Sequence, residues 1–293
     1  MTKNTICLNM IVKNESKIIT RLFDSVIKII DCYCICDTGS DDNTKNIIQD
    51  YFYFHNIPGK LIEKEFINFE VNRNFALAQA KDMADYIFLL DADMIIKISE
   101  NFDKNNLIHS VYNLKQGNHN FAYYNTRILS NNVNAKYSGV THEYIDILDN
   151  LYTKNLDEIH ILDLDDGGSK ANKFERDVEL LKKGLEENPN NIRYNFYLAN
   201  SLLDLNRYQE ALKYYEKHAE IVNWNEEHFY NYYRQGFCYK YLNDIDKMIY
   251  SWEKAWTIRP TRAESLYEII NYYRFKCDWN KCKLYYEIAK NIK

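Results

Sequence analysis

The first half of the chain alternates short apolar runs with amphipathic stretches. TICLNMIV (5–12) reads as a buried strand, and KIITRLFDSVIKII (17–30) has helical spacing. CYCIC (32–36) is a second strand and DNTKNIIQDYFYFHN (42–56) a second helix. KLIEKEF (60–66) predicts a third strand, NRNFALAQAKDM (72–83) a third helix and DYIFLL (85–90) a fourth strand. This β-α-β-α-β-α-β order predicts a mostly parallel, Rossmann-like sheet covered by helices. Beyond it, 119–130 and 134–148 read as further strands with loops, and HILDLDDGGSK (160–170) ends in a turn.

From residue 172 onward the pattern is helical and repeats. Segments 173–191, 207–225, 244–262 and 278–293 align. A large apolar residue recurs at Leu181, Tyr215, Trp252 and Tyr286, at intervals of 34, 37 and 34 residues. Small residues fall where paired helices approach closely: Ala199 and Gly236 in first helices, Ala211, Ala255 and Ala289 in second ones. A period near 34 with helix-turn-helix content is the tetratricopeptide signature. The expected organisation is an α/β domain over 1–171 followed by an all-α tetratricopeptide-repeat domain over 172–293.

Composition narrows the function classes. The 293 residues are 46% hydrophobic and 27% charged, an ordinary globular balance. No apolar run approaches the length of a membrane span. The net charge is −5, concentrated in the acidic first half, and neither half is basic enough for nucleic-acid binding by counterion release. Seven cysteines and no secretion signal point to a reducing, cytoplasmic compartment, that of a host cell if the source is viral. Cys32, Cys34 and Cys36 alternate on one strand and read as buried thiols rather than a metal cluster.

In open parallel sheets, ligands sit at the carboxyl ends of the strands. Three predicted ends are polar: Lys13-Asn14-Glu15, Asp37-Thr38-Gly39-Ser40-Asp41-Asp42 and Asp91-Ala92-Asp93. Carboxylates gathered at one edge repel each other unless a cation or a donor-rich ligand joins them. Asp91 and Asp93, one residue apart beyond a strand, suit a hard divalent cation that takes its other ligands from a diphosphate. Gly39 supplies a turn and Ser40 or Asp41 a helix cap, which leaves Asp37 free to accept a hydrogen bond from a base.

These residues resemble a known family. MIVKNE, DTGSDDNT, the F-x-x-x-RN-x-A pattern across Phe69–Ala76 and FLLDADM look like the N-terminal motifs of family 2 glycosyltransferases, which have a GT-A fold and use nucleotide-sugar donors. YSGVTHEYI (137–145), DDGGSKANKFERD (165–177), RYNFYLANSLLDL (193–205), NWNEE (223–227) and RPTRAESLYEIINYYR (259–274) look like a subgroup with C-terminal tetratricopeptide repeats. The resemblance implies an inverting transfer from a nucleotide-diphosphate sugar, a UDP-sugar, to a protein, peptide or glycan acceptor held by the repeats. It implies Mn2+ or Mg2+ on Asp93, with Asp91 on the metal or the ribose and His142 on the metal or a phosphate. Asp37 would contact the base and Arg73 the nucleotide or its phosphates. Asn14, Glu15, Gly39, Ala92 and Lys170 would complete the nucleotide-sugar site. The Gly-containing loop over 166–170 reads either as a flap closing over the diphosphate, with Lys170 or Lys173 as charge partner, or as a simple interdomain hinge. Glu143 would be the general base.

Two other readings compete. A repeat-based protein-binding adaptor with an inactive sugar-nucleotide domain conflicts with the intact Asp37, Arg73, Asp91, Asp93 and Glu143. A nucleotidyltransferase lacks a glycine-rich loop at the first strand end.

Overall fold

The computed structural model describes residues 3–118, 121–167, 172–221 and 224–292. The chain divides into two compact units, 1–171 and 172–293.

The first unit follows the expected alternation: β1 (Ile6–Val12), α1 (Ile19–Val26), β2 (Cys32–Asp37), α2 (Thr44–Phe54), β3 (Gly59–Glu63), α3 (Phe69–Ala80) and β4 (Tyr86–Leu89). Six more strands follow: β5 (Met94–Ile98), β6 (Val111–Gly117), β7 (Ala122–Ser130), β8 (Ala135–Ser138), β9 (Tyr144–Ile147) and β10 (Thr153–Asp163). Eight of these strands form one sheet in the order β3-β2-β1-β4-β7-β6-β10-β5. β3, β2, β1 and β4 are parallel, as are β6 and β10, while β7 and β5 run against their neighbours. The sheet is therefore mostly parallel, as expected, with two reversed strands.

β1 and β2 are buried almost throughout and mostly apolar because helices cover both faces of the sheet. One face packs Leu8, Met10 and Ile35 with Leu22, Phe23, Ile48 and Phe52 of α1 and α2. The other packs Cys7, Cys32, Cys34, Ile87 and Leu89 with Ala80 of α3. All seven cysteines are free thiols, and five of them are buried. The buried Asn9 amide donates to the Cys34 and Ala76 carbonyls and so joins β1, β2 and α3.

Helix α3 starts three residues before the expected position. Asn68 caps it by accepting the Val71 N–H at 2.8 Å, and it ends at Ala80 because Lys81 and Asp82 leave helical geometry. The region 134–148 forms two strands as expected, β8 and β9, which pair as a hairpin separate from the main sheet. β5, β6 and the long β10 had no clear apolar period in the sequence.

The second unit contains α4 (Lys173–Glu187), α5 (Ile192–Asp204), α6 (Tyr208–Ala219), α7 (Asn225–Tyr241), α8 (Ile245–Ile258), α9 (Glu264–Phe275) and α10 (Trp279–Ala289). Each helix packs on the next, with α5–α6, α7–α8 and α9–α10 as hairpins. This is a stack of helix pairs, the tetratricopeptide architecture. Leu181, Tyr215 and Trp252 are fully buried, but Tyr286 is 55% exposed. No helix follows α10 among the described residues to cover it. No helix of the described residues is long and apolar enough to cross a membrane.

Candidate active site

The carboxyl ends of β1, β2, β4 and β10 lie at one edge of the sheet, because these four strands run in the same direction. The first loop is tied to the second. Asn14, in left-handed geometry, donates its N–H to Ser40 Oγ and accepts the Asp41 N–H on its Oδ1. The buried Glu15 donates its N–H to Thr44 Oγ1, while its carbonyl accepts the first amides of the following turn.

Asp37, the last residue of β2, is fully buried. Its Oδ1 accepts the Gly39 and Ser40 N–H groups at 2.9 and 2.8 Å. Its Oδ2 has no hydrogen-bond partner among the described residues. A buried carboxylate oxygen without a donor costs stability unless a ligand supplies one. Gly39, at φ +103°, makes the turn that aims its N–H back at Asp37, and a side chain there would meet nothing within 4 Å.

Arg73 lies one turn into α3. Its Nη2 donates to Asp91 Oδ1 at 2.7 Å and its Nε to Glu143 Oε1 at 2.6 Å. All three side chains are mostly buried. Glu143 comes within reach because α3 carries the loop that holds it. Glu70 accepts the Gly139 N–H, Phe69 donates to the Val140 carbonyl, and Asn74 makes two bonds to the Tyr137 backbone. Tyr137 then lies under the Arg73 guanidinium, 5.5 Å from its carbon. Burial pushes the Tyr137 phenol up to about 12. Glu143 Oε2 has no hydrogen-bond partner among the described residues. His142 precedes it in left-handed geometry, φ 52°, in the turn between β8 and β9.

Burial acts to raise the Asp91 carboxyl, but the charges of Arg73 and then Arg127 outweigh it and hold it below the usual range. Arg127 was not among the expected site residues. It reaches Asp91 Oδ2 at 3.4 Å and takes Gln116 Oε1 at 2.9 Å. Its signal in the sequence is an arginine directly before the apolar Ile128-Leu129, since a buried guanidinium needs a carboxylate.

Ala92 is buried in the apolar core. Asp93 is half-buried and its carbonyl accepts the Leu164 N–H. The chain beyond β10 returns to this point: Cβ added to Gly167 would sit 3.4 Å from both Asp93 Oδ2 and Glu15 Oε1. Asp166 in the same segment pairs with both Nη atoms of Arg21. Lys170 lies outside the described residues. Lys173 opens α4 in the second unit, where Arg176 and Asp177 pair at 3.6 Å.

A hard divalent cation fits this edge in one way. Among the described residues no three His, Cys, Asp or Glu side chains are arranged to hold a metal by themselves. Both oxygens of Asp91 already face guanidinium groups, so a cation on Asp91 would compete with them. Asp93, beside Glu15, suits a cation that draws most of its ligands from a diphosphate and water.

Residues 7–101 match the family model described as Glycosyl transferase family 2. Their span holds the ends of β1, β2 and β4 and the Arg73 helix. Solved structures similar to the chain include "MamA RS-1 ArsTM double mutant", at 18% identity and TM-score 0.38, over 42% of this chain and 68% of that one. "MamA MSR-1 C2" is 23% identical at TM-score 0.36 over 42% and 69%. "MamA 41-end from Desulfovibrio magneticus RS-1" is 19% identical at TM-score 0.36 over 42% and 67%. No curated protein matches significantly.

Proposed function

We propose that the first unit transfers a sugar from a nucleotide-diphosphate donor, a UDP-sugar, to a protein, peptide or glycan acceptor, with inversion. The observation that carries this reading is the unpartnered, buried Asp37 Oδ2 at the end of a parallel strand. It is an acceptor at the carboxyl end of a strand, where ligands bind in sheets of this kind, and a nucleobase N–H would satisfy it. Uracil offers such a donor. Asn14, Glu15 and the turn at Gly39 frame the nucleoside, and Arg73 holds Asp91 toward the ribose.

Glu143 is the base in this reading. Arg73 fixes one carboxylate oxygen, and the other takes the proton from the acceptor. The acceptor oxygen or sulfur bonds to the sugar carbon as the bond to the diphosphate breaks on the opposite face. Asp93 would hold Mn2+ or Mg2+, with His142 as a further metal or phosphate contact, and the cation would neutralise the leaving diphosphate. The helical unit supports capture of a protein acceptor, because stacked helix pairs present extended binding surfaces. Exposed Tyr230, Tyr241 and Tyr267 on its first helices offer contact area.

The test is Asp93→Ala. Donor turnover to free sugar, with UDP-glucose, UDP-galactose and UDP-N-acetylglucosamine in Mn2+, should fall at least about a hundredfold. Turnover equal to the unsubstituted protein sinks the metal role of Asp93.

A further inference from the structure

The cluster around Asp91 contains one more guanidinium than the proposed transfer uses. Arg73 splits one of its edges between two carboxylates, Nε to Glu143 and Nη2 to Asp91. A single carboxylate ordinarily takes both hydrogens of that edge as a fork. Something must therefore keep Asp91 from turning to chelate Arg73 and releasing Glu143.

Arg127 is placed to do this. In the β6–β7 ladder Asn113 faces Thr126 and Tyr112 faces Ile128, so Arg127 is the extra residue of a β-bulge. A bulge re-aims a side chain that the regular pleat would send elsewhere. Arg127 is 9% exposed, and its Nη1 lies 3.4 Å from Asp91 Oδ2 and 3.3 Å from the Leu89 carbonyl. Its Nε donates to Gln116 Oε1 at 2.9 Å. The Gln116 amide cannot turn over without loss. Its Nε2 donates to the Asp163 carboxylate at 3.2 Å, and Asn125 donates to the same Oε1. Asp163, Gln116, Arg127 and Asp91 thus form one hydrogen-bonded chain across β10, β6, β7 and the loop after β4.

We infer that Arg127 is a positioning residue: by occupying the second oxygen of Asp91, it leaves Arg73 free to hold Glu143 as the base. This rests on the transfer reading above. The inference is read two ways, so that its failure and the failure of that reading are separable.

The first measurement needs no turnover. The Nε–H signal of Arg73 in a nitrogen–proton correlation spectrum, identified by its loss in Arg73→Lys, should shift in both Arg127→Met and Arg127→Lys. Lysine keeps the charge but cannot serve Gln116 and Asp91 together. It therefore decides the matter if the methionine variant does not fold. An unmoved signal in a folded variant overturns the inference.

The second measurement is donor hydrolysis with the same three UDP-sugars in Mn2+. Arg127→Met should lower kcat about tenfold or more with KM for the donor within about threefold, and Arg127→Lys should recover part of kcat. A rise in KM with kcat unchanged also overturns it, because it would make Arg127 a binding group. If the unsubstituted protein hydrolyses none of the donors while the Arg73 signal shifts as stated, the transfer reading fails and the positioning stands.

Discussion

Arg73 and Glu143 are joined by a 2.6 Å ion pair across 70 residues of chain, and the helix that carries the first also suspends the loop that carries the second. The pair is thus a product of α3 and the β8–β9 hairpin together. Anything that loosens the hairpin from Glu70 or Asn74 moves the carboxylate without touching the ends of β1 and β2.

Asp37→Asn separates recognition from stability. The asparagine carbonyl can keep the Gly39 and Ser40 hydrogen bonds, but an NH2 group replaces the acceptor at Oδ2. Nucleotide affinity should fall about tenfold or more, about 1.4 kcal/mol. The unfolding midpoint should hold or rise, because an unpartnered buried carboxylate oxygen has gone. Calorimetric titration with UDP and a denaturant curve check the two halves.

Asp91 makes the fold sensitive to acid. Burial works against its charge, but Arg73 and Arg127 hold its carboxyl below 3.8. A carboxyl depressed in the folded state lends stability above its unfolded value and loses it as pH falls through the folded one. Asp91→Asn should therefore be less stable than the unsubstituted protein at pH 7, by about 3 kcal/mol for a broken buried pair. The difference should shrink below pH 3.8. A constant difference in urea titrations from pH 7 to 2.5 would refute this account of the cluster.

The helical unit should weaken in mild acid. Burial, then the charges of His218 and Lys254, hold the His228 imidazole below its ordinary 6.5. The unfolded chain binds that proton more readily, so stability present above pH 6.5 declines as pH falls toward the folded value. His228→Gln should reduce this decline between pH 7 and 5, as followed by helical circular dichroism in urea.

Close packing sets the α7–α8 contact. A Cβ on Gly236 would press into the Trp252 indole, whose Nε1 donates to the Tyr233 carbonyl. Gly236→Ala gains about 1 kcal/mol of helix propensity. Overpacking costs about 1–3 kcal/mol and should outweigh that gain. A denaturant midpoint at or above that of the unsubstituted protein would show that the tryptophan yields without cost.

Much of this was legible in the chain. β1, β2 and β4 announce themselves because strands buried on both faces must be continuously apolar, and their polar ends mark the edge where Asp37, Asp91 and Asp93 lie. β10 was not legible, because its first half is largely exposed and polar. Arg127 escaped because its meaning depends on a carboxylate 36 residues away and on a bulge that no local period reveals. The resemblance named Arg73 and Glu143 but not their contact, since nothing local joins a helix to a distant hairpin loop. In the repeats, the period located Tyr286 but not its exposure, which depends on whether another helix covers it.

The central claim is that this edge binds a nucleotide diphosphate through Asp37 and a cation on Asp93. It is tested most directly by thermal unfolding of the full chain with UDP, GDP, CDP and ADP, each with Mn2+ or with chelator. At about a hundredfold above its dissociation constant a ligand adds roughly 2.7 kcal/mol. The account predicts a rise in midpoint with UDP that needs Mn2+ and is lost in Asp37→Asn. No rise with any nucleotide, from a folded sample, would contradict it.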